Sequence, residues 1–311
     1  MKGIVIKSTG SWFTVKPETG PRVECKLKGR FRIQGLKATN PVAVGDRVLY
    51  EFLETEGIGI IYDILPRNNY IIRRATKLSK VFHILAANID RAYLIVTVVS
   101  PRTSTGFIDR FLVTTEAYHI PATLVFNKID IYDQFLQEYH DQMVKVYETI
   151  GYKCIAVSAL RGDNIGDFIH GLKDKVNLFA GHSGVGKTAL LNAIEPDLNL
   201  KIGKISSVHQ KGMHTTTFAE MHELSSGGFI IDTPGIKEMG LIDLDKVTIA
   251  ERFPEMRALM HQCHFNNCTH IHEPGCAVKQ AVEDGKIDAQ RYSNYLGILN
   301  DEGLEISEWS L

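Results

Sequence analysis

Apolar positions change their rhythm twice along this 311-residue chain. Residues 1–66 hold short runs rich in β-branched and aromatic residues between glycine-bearing turns: GIVIKSTGSWFTVK, RVECKLKG, DRVLYEF and GIGIIYDIL. No helical period fits them, so they read as four or five short strands, with Gly45-Asp46 a turn feeding one of them. That number of strands in so short a stretch predicts a small barrel of OB-like type. PRNNYIIRRATKLSK (66–80) is polar and basic and reads as a connector. Five runs then lose the alternation and become almost continuously apolar: RAYLIVTVVS (91–100), PATLVFNKID (121–130), KCIAVSAL (153–160), KVNLFAG (175–181) and GGFIIDTPG (227–235). Strands of this kind belong to a parallel sheet covered by helices on both faces. FIDRFLVTTEAYH and YDQFLQEYHDQMVKVYETI are two of those helices. From about residue 239 the pattern turns helical, in LDKVTIAERFPEMRALM and AVKQAVEDGKIDAQRYSNYLGILNDE, on either side of a cysteine cluster. The expected organisation is a barrel over 1–68, a linker over 69–80, an α/β domain over 81–238 and a helical unit over 239–311.

Composition changes this picture in three places. The net charge of −1 selects no partner by itself, but the first forty residues carry nine Lys or Arg against two Glu, a local excess of +7. Lys26, Lys28, Arg30 and Arg32 alternate, so they share one side of extended backbone. They are the expected RNA-binding face, with a merely solvated barrel surface as the alternative. Trp12, Phe13 and Phe31 either stack on bases there or fill the barrel core. No apolar run approaches about 18 residues, so no membrane span is expected. MKGIVIKSTGSWF has too short an apolar run for a secretion signal. Five cysteines, three of them between 263 and 276, point to a reducing compartment, the cytoplasm, and to a metal site rather than disulfides.

The apolar strand that ends at Ala180 runs into GHSGVGKT, a complete G-x-x-x-x-G-K-[ST] loop opening a helix. Gly181, His182, Ser183, Gly184, Val185, Gly186, Lys187, Thr188 and Ala189 form the expected phosphate cradle. Lys187 is a point charge for the β- and γ-oxygens, and Thr188 offers its hydroxyl to Mg²⁺. Asn127, Lys128 and Asp130 follow another buried strand as NKID. Asp130 can accept from N1–H and the 2-amino group of guanine together, a donor pair that adenine lacks. Lys128 can lay its stem along the purine, and Asn127 braces neighbouring loops. Ser158 and Ala159, in SAL, fit the loop that brings a backbone N–H near guanine O6. Asp232, Thr233, Pro234 and Gly235 end a further strand. Asp232 is expected to hold Mg²⁺ through water, and the Gly235 N–H to sense the γ-phosphate. Thr215, Thr216 and Thr217 lie between these motifs as candidates for the mobile Mg²⁺ threonine, Thr216 favoured. The position after DTPG is Ile236, which cannot orient water as a glutamine would. Catalysis therefore needs another group: His214 is the first candidate, with a backbone arrangement imposed by a partner and His182 as the alternatives.

In the C-terminal stretch Cys263, Cys268, His270 and Cys276 give C-x₄-C-x-H-x₅-C, a closed set of three thiolates and one imidazole as in structural zinc sites. His261, His264 and His272 leave the histidine ligand open on spacing alone. Cys25 and Cys154 stand apart from the cluster and read as structural.

The motifs run NKID, SAL, phosphate loop, threonines, DTPG, whereas an ordinary GTPase starts with the phosphate loop. The chain is thus expected to be a circularly permuted P-loop GTPase domain, between an OB-like barrel and a helical zinc-binding unit. At this point ANIDRAYLIV, LVFNKID, SAL, GHSGVGKTALLNAI, HTTT, DTPGI, the cysteine cluster and RYSNYLGIL together resemble the small-subunit-dependent GTPases of bacterial ribosomes, the RsgA family, over essentially the whole chain. The resemblance implies GTP/GDP with Mg²⁺, one structural Zn²⁺ held with His270 as its fourth ligand, and binding to the small ribosomal subunit (30S) and its 16S rRNA. It also implies hydrolysis stimulated by that subunit late in its maturation and coupled to release. Two departures stand out: Met213 where the family often has arginine, and Thr188-Ala189 where it often has two serines. The expected protein is a cytoplasmic monomer. The alternative is a permuted regulatory GTPase acting on a non-ribosomal RNA or protein partner.

Overall fold

The computed structural model describes residues 1–29, 41–74, 82–200, 220–232 and 246–300. Five strands, β1 (Lys2–Ser8), β2 (Phe13–Pro17), β3 (Val23–Leu27), β4 (Arg47–Leu53) and β5 (Ile58–Ile64), close on themselves. β1 lies antiparallel to both β2 and β4, and β3 runs parallel to β5. The order β1-β2-β3-β5-β4, closed by β1–β4, is that of the OB barrel. Alternation explains the closure: Val5, Phe13, Val15, Cys25, Val48, Tyr50 and Ile61 point inward and are fully buried. Phe13 is therefore core, whereas Trp12 is exposed with Lys26 Nζ 4.3 Å from its ring centre. Burial pushes the Cys25 thiol up to about 12, with the Glu24 charge adding to it, so this cysteine stays a thiol.

The stretch read as a connector contains β6 (Tyr70–Arg74), paired antiparallel with β7 (Phe82–Ala87). Its polar flanks masked the short apolar YII, of which Ile71 is buried. This hairpin seats the barrel. Arg67 forks onto Asp46 at 2.6 Å from both Nε and Nη2, and Asp46 also accepts from the Ala43 N–H. The charges are buried yet fully partnered, as buried ions must be.

β8 (Arg91–Val96), α1 (Thr105–Ala117), β9 (Ala122–Phe126), α2 (Gln134–Thr149), β10 (Lys153–Ala156), α3 (Ile165–Leu172), β11 (Val176–Ala180), α4 (Lys187–Ile194), β12 (Glu220–Glu223) and β13 (Phe229–Asp232) follow. All five expected apolar strands form, in the parallel order β10-β9-β8-β11-β13. Both helices lie where the sequence places them, and each starts at a side-chain cap. Ser104 Oγ accepts from the Phe107 N–H, and an Asp133 carboxylate oxygen from the Leu136 N–H. β12 was not legible because EMHE carries one apolar residue in four. It pairs antiparallel with β13 on one side and with β1 on the other, so sheet and barrel are continuous.

The C-terminal stretches break where sequence read them as continuous. α5 (Lys246–Glu251) and α6 (Pro254–Arg257) are separated before Pro254, which has no N–H to continue a helix. α7 (Ala277–Glu283) and α8 (Ala289–Leu299) are separated at Asp284-Gly285. Among the described residues no helix is long and apolar enough to cross a membrane.

Candidate functional site

The C-terminal ends of β8, β9, β11 and β13 place the nucleotide motifs side by side, the general position of ligands on open α/β sheets. Register sets Phe179 opposite Asp232, so the strand entering the GHSGVGKT loop and the strand ending at Asp232 finish together. Gly181 takes φ +147°, and a Cβ there would fall 2.5 Å from the Ile95 carbonyl oxygen. Gly186 takes φ +91° at the start of α4, and a Cβ there would meet Asn127 Nδ2 at 2.5 Å. Both positions exclude any side chain.

Asn127 is 1% exposed and joins three segments. Its Nδ2 donates to the Val185 carbonyl at 2.9 Å, and its Oδ1 accepts from the Ala159 N–H at 3.1 Å. The bracing expected of this residue is thus present. The same bond commits the Ala159 N–H, one of the backbone donors of the SAL loop, to Asn127. Lys128, at φ +68°, donates from Nζ to the Gly184 carbonyl at 2.7 Å and to the Ser100 carbonyl. Its stem crosses close to Gly186, whose added Cβ would lie 3.8 Å from Lys128 Cε. Asp130 accepts from Ser158 Oγ at 2.5 Å, and Ser158 Oγ in turn accepts from the Arg161 N–H at 3.0 Å. Ser158 is fully buried and fixes one oxygen of Asp130.

Lys187 Nζ donates to the His182 carbonyl at 3.0 Å and to the Gly181 carbonyl, so its charge sits within the loop. Burial pushes the Asp232 carboxyl up; Lys187 and His222 pull it down without cancelling that. The Asp232 carboxyl thus sits buried within the field of Lys187, the residue that precedes Thr188 in the phosphate loop. His182 turns away from the cradle: its Nε2 lies 2.7 Å from Thr103 Oγ1, its Nδ1 3.0 Å from the Ser183 carbonyl, and its ring meets Phe107 edge-on at 5.7 Å. Sequence reasoning missed this contribution from 97–107, where Pro101 also packs beside Gly184. The available signal was SPRTST directly after a buried strand. His214, Thr215, Thr216, Thr217, Thr233, Pro234, Gly235, Arg30, Phe31 and Arg32 lie outside the described residues. Lys26 and Lys28 are exposed, on and just after β3. Three other N-terminal cations are spent on β12: Lys7 reaches Glu220 at 3.4 Å, and Lys16 and Arg22 reach Glu223 at 3.2 and 3.8 Å.

The second centre brings Cys263, Cys268, His270 and Cys276 together, every donor atom within 4.8 Å of the others. Nδ1 of His270 lies 3.4 Å from Cys276 Sγ and 3.6 Å from Cys263 Sγ. A tetrahedral Zn²⁺ with ordinary bond lengths sets N and S about 3.5 Å apart. Burial pushes the Cys268 thiol up to about 12, and neighbouring Cys276 and Cys263 add to the rise. Three sulfurs and one imidazole nitrogen at these separations fit a zinc site. Surrounding groups hold the ligand loop: Tyr292 Oη donates to the His270 carbonyl at 2.6 Å and Tyr295 Oη to the Thr269 carbonyl at 2.7 Å. Glu273 accepts from Thr269 N, Thr269 Oγ1 and Ile271 N at 2.7, 2.6 and 3.0 Å. Burial opposes its ionisation, but these bonds outweigh burial and bring the carboxyl down to about 2. A further network docks this unit on α1. Arg291, buried, pairs with Asp109 and forks onto Glu255 at 2.7 and 3.1 Å, while Asp109 also accepts from Tyr147 Oη at 3.1 Å and from Asn294.

Strand order, phosphate loop and base-reading motif in this arrangement define a circularly permuted P-loop GTPase. The family model described as RsgA GTPase matches residues 64–242, and that described as RsgA N-terminal domain matches residues 2–61. The small ribosomal subunit biogenesis GTPase RsgA of Bacteroides fragilis is 52% identical over 302 residues, 97% of each chain. That of Flavobacterium psychrophilum is 51% identical over 304 residues, 97% of this chain and 93% of its own. Among solved structures, YjeQ from Thermotoga maritima superposes with a TM-score of 0.79 at 36% identity, covering 96% of this chain and 97% of that one. YloQ, described as a circularly permuted GTPase, does so at 0.75 and 31% identity, over 96% of this chain and 94% of that one. The chain belongs to the RsgA GTPase family.

Proposed function

We propose that this GTPase acts on the small ribosomal subunit late in its maturation, in the cytoplasm, and that docking on 16S rRNA stimulates hydrolysis and leads to release. The observation that carries this reading is the physical continuity of the barrel with the nucleotide sheet through β1 and β12. β12 lies between the threonines at 215–217 and the strand ending at Asp232, so load on the barrel falls on the segment flanked by the two switch motifs.

In this reading Asp130, oriented by Ser158, accepts from the guanine donors, and Lys128 covers the purine. Lys187 exchanges its two carbonyl partners for β- and γ-phosphate oxygens, which carry more charge. Thr188, Asp232 and Thr216 hold Mg²⁺, which when bound neutralises phosphate charge. With both ring nitrogens of His182 engaged, water positioning falls to His214. His214→Ala should leave GTP affinity intact and lower subunit-stimulated turnover by about 10²-fold, the usual worth of a positioned acid–base group; unchanged basal and stimulated turnover would remove His214 from the mechanism. Cys263, Cys268, His270 and Cys276 hold one structural Zn²⁺.

Lys26, whose ammonium lies over the Trp12 ring, and the exposed Lys28 make the RNA-facing surface of the barrel, and Arg30 and Arg32 are assigned the same partner by their place in the sequence. Charge reversal at Lys26 and Lys28 together tests this. Subunit co-sedimentation should weaken, and the slope of log affinity against log salt should fall by about two. An unaltered slope would assign RNA contact elsewhere.

A further inference from the structure

Charge is distributed unevenly over the barrel, with Lys26 and Lys28 at β3 and the acids gathered on the adjoining β4 and β5. Between Val48 and Pro66 the chain has Glu51, Glu54, Glu56 and Asp63 and no lysine or arginine. All four acids are exposed. β4 and β5 pair in register until Leu49 faces Asp63 while Tyr50 faces Ile61, which leaves Tyr62 as an extra residue. Such a bulge takes a side chain out of the inward–outward alternation. Tyr50 and Ile61 are fully buried beside it, whereas Tyr62 is 44% exposed and Phe52 41%. The two rings, with Met1, Glu51 and Glu54, line an open hollow of ≈ 620 Å³. The Met1 ammonium that lines the hollow donates to the Tyr50 carbonyl at 2.7 Å. Lys28, whose backbone N–H donates to the Ile61 carbonyl at 3.0 Å, borders the face from β3 and Arg47 opens β4, so the four acids outnumber these two side-chain cations.

Two aromatic faces rimmed by carboxylates attract cations twice, through ring quadrupole and through charge. The same carboxylates repel phosphates, so RNA is the wrong occupant. We propose that the β4–β5 face docks an arginine- or lysine-rich segment of a protein partner, its cations over Phe52 and Tyr62 and paired with Glu51 and Glu54. The barrel thus recognises two chemistries, polyanion on the Lys26/Lys28 side and polycation on this one.

Fluorescence anisotropy of the full chain tests it, with a short labelled peptide of alternating arginine and glycine as one probe and labelled oligouridylate as the other. Phe52→Ala/Tyr62→Ala should weaken peptide binding about tenfold, since both ring faces that attract the cations are removed. Glu51→Gln/Glu54→Gln should weaken it at least as much and steepen no RNA response. Both variants should keep wild-type oligouridylate binding and basal GTP hydrolysis, the latter showing that they fold. Reversal of Lys26 and Lys28 should do the opposite, weakening oligouridylate and sparing peptide. A wild-type chain that ignores the peptide, or peptide binding indifferent to the face variants, overturns the proposal. So does oligouridylate binding that falls with them, which would make the face an RNA site. A concentration-dependent dimer abolished by Phe52→Ala would assign the face to a second copy and also overturn it.

Discussion

At the scale of single residues, Asp130 and Gly186 carry the sharpest expectations. In Asp130→Asn an amide replaces the acceptor that matches the guanine donors. GTP affinity should fall by about 3 kcal/mol, roughly 10²-fold, and xanthosine triphosphate, which presents a carbonyl at position 2, should bind better to the variant than to the wild type. Equilibrium titration with both nucleotides checks this; equal loss for both would mean that Asp130 holds the loop and does not read the base. Gly186→Ala puts a methyl where Asn127 Nδ2 lies 2.5 Å away, so it should weaken nucleotide binding and lower thermal stability together. These residues were legible because phosphate and base recognition demand fixed residue types at fixed spacing. Thr103 and Pro101 were not, since their part comes only from a fold that lays residues 97–107 against His182 and Gly184.

Elements were legible in proportion to how far burial forces a pattern on them. The strands at the centre of the sheet, buried on both faces, announced themselves as apolar runs. β6 and β12 are short, have polar flanks, and are held by neighbours rather than by their own composition. Arg291 had no signal at all: its partners Asp109 and Glu255 are 182 and 36 residues away. Removing it in Arg291→Ala leaves Asp109 buried without its cation and should cost about 3–5 kcal/mol, with the C-terminal helices detaching from α1 first. Hydrogen exchange resolved by element checks the order; uniform loss of protection would make the network part of a single cooperative unit. Glu273 gives a pH dependence. Its folded carboxyl is depressed to about 2 from an ordinary 4.5, so its contribution is complete above 4.5 and is lost as pH falls from 4.5 towards 2. The melting difference between wild type and Glu273→Gln should therefore be constant from pH 7 to about 5 and shrink below that.

Across the whole molecule, permutation moves the strand ending at Asp232 next to the C-terminal unit while β12 ties the same strand pair to the barrel. The motif order revealed the first connection from sequence alone; the second needed the strand pairing. Zinc should matter to one end only. Chelation, or Cys263→Ser with Cys268→Ser, should remove one zinc per chain and make residues 246–300 protease-sensitive while GTP binding persists. The decisive experiment is GTP hydrolysis by the full chain alone, with purified small ribosomal subunits, and with large subunits or ATP as controls. Strong stimulation by small subunits only, and with GTP only, is the expected result. Tight GTP binding with no response to small subunits would contradict the proposed role and leave a permuted GTPase that answers to a different partner.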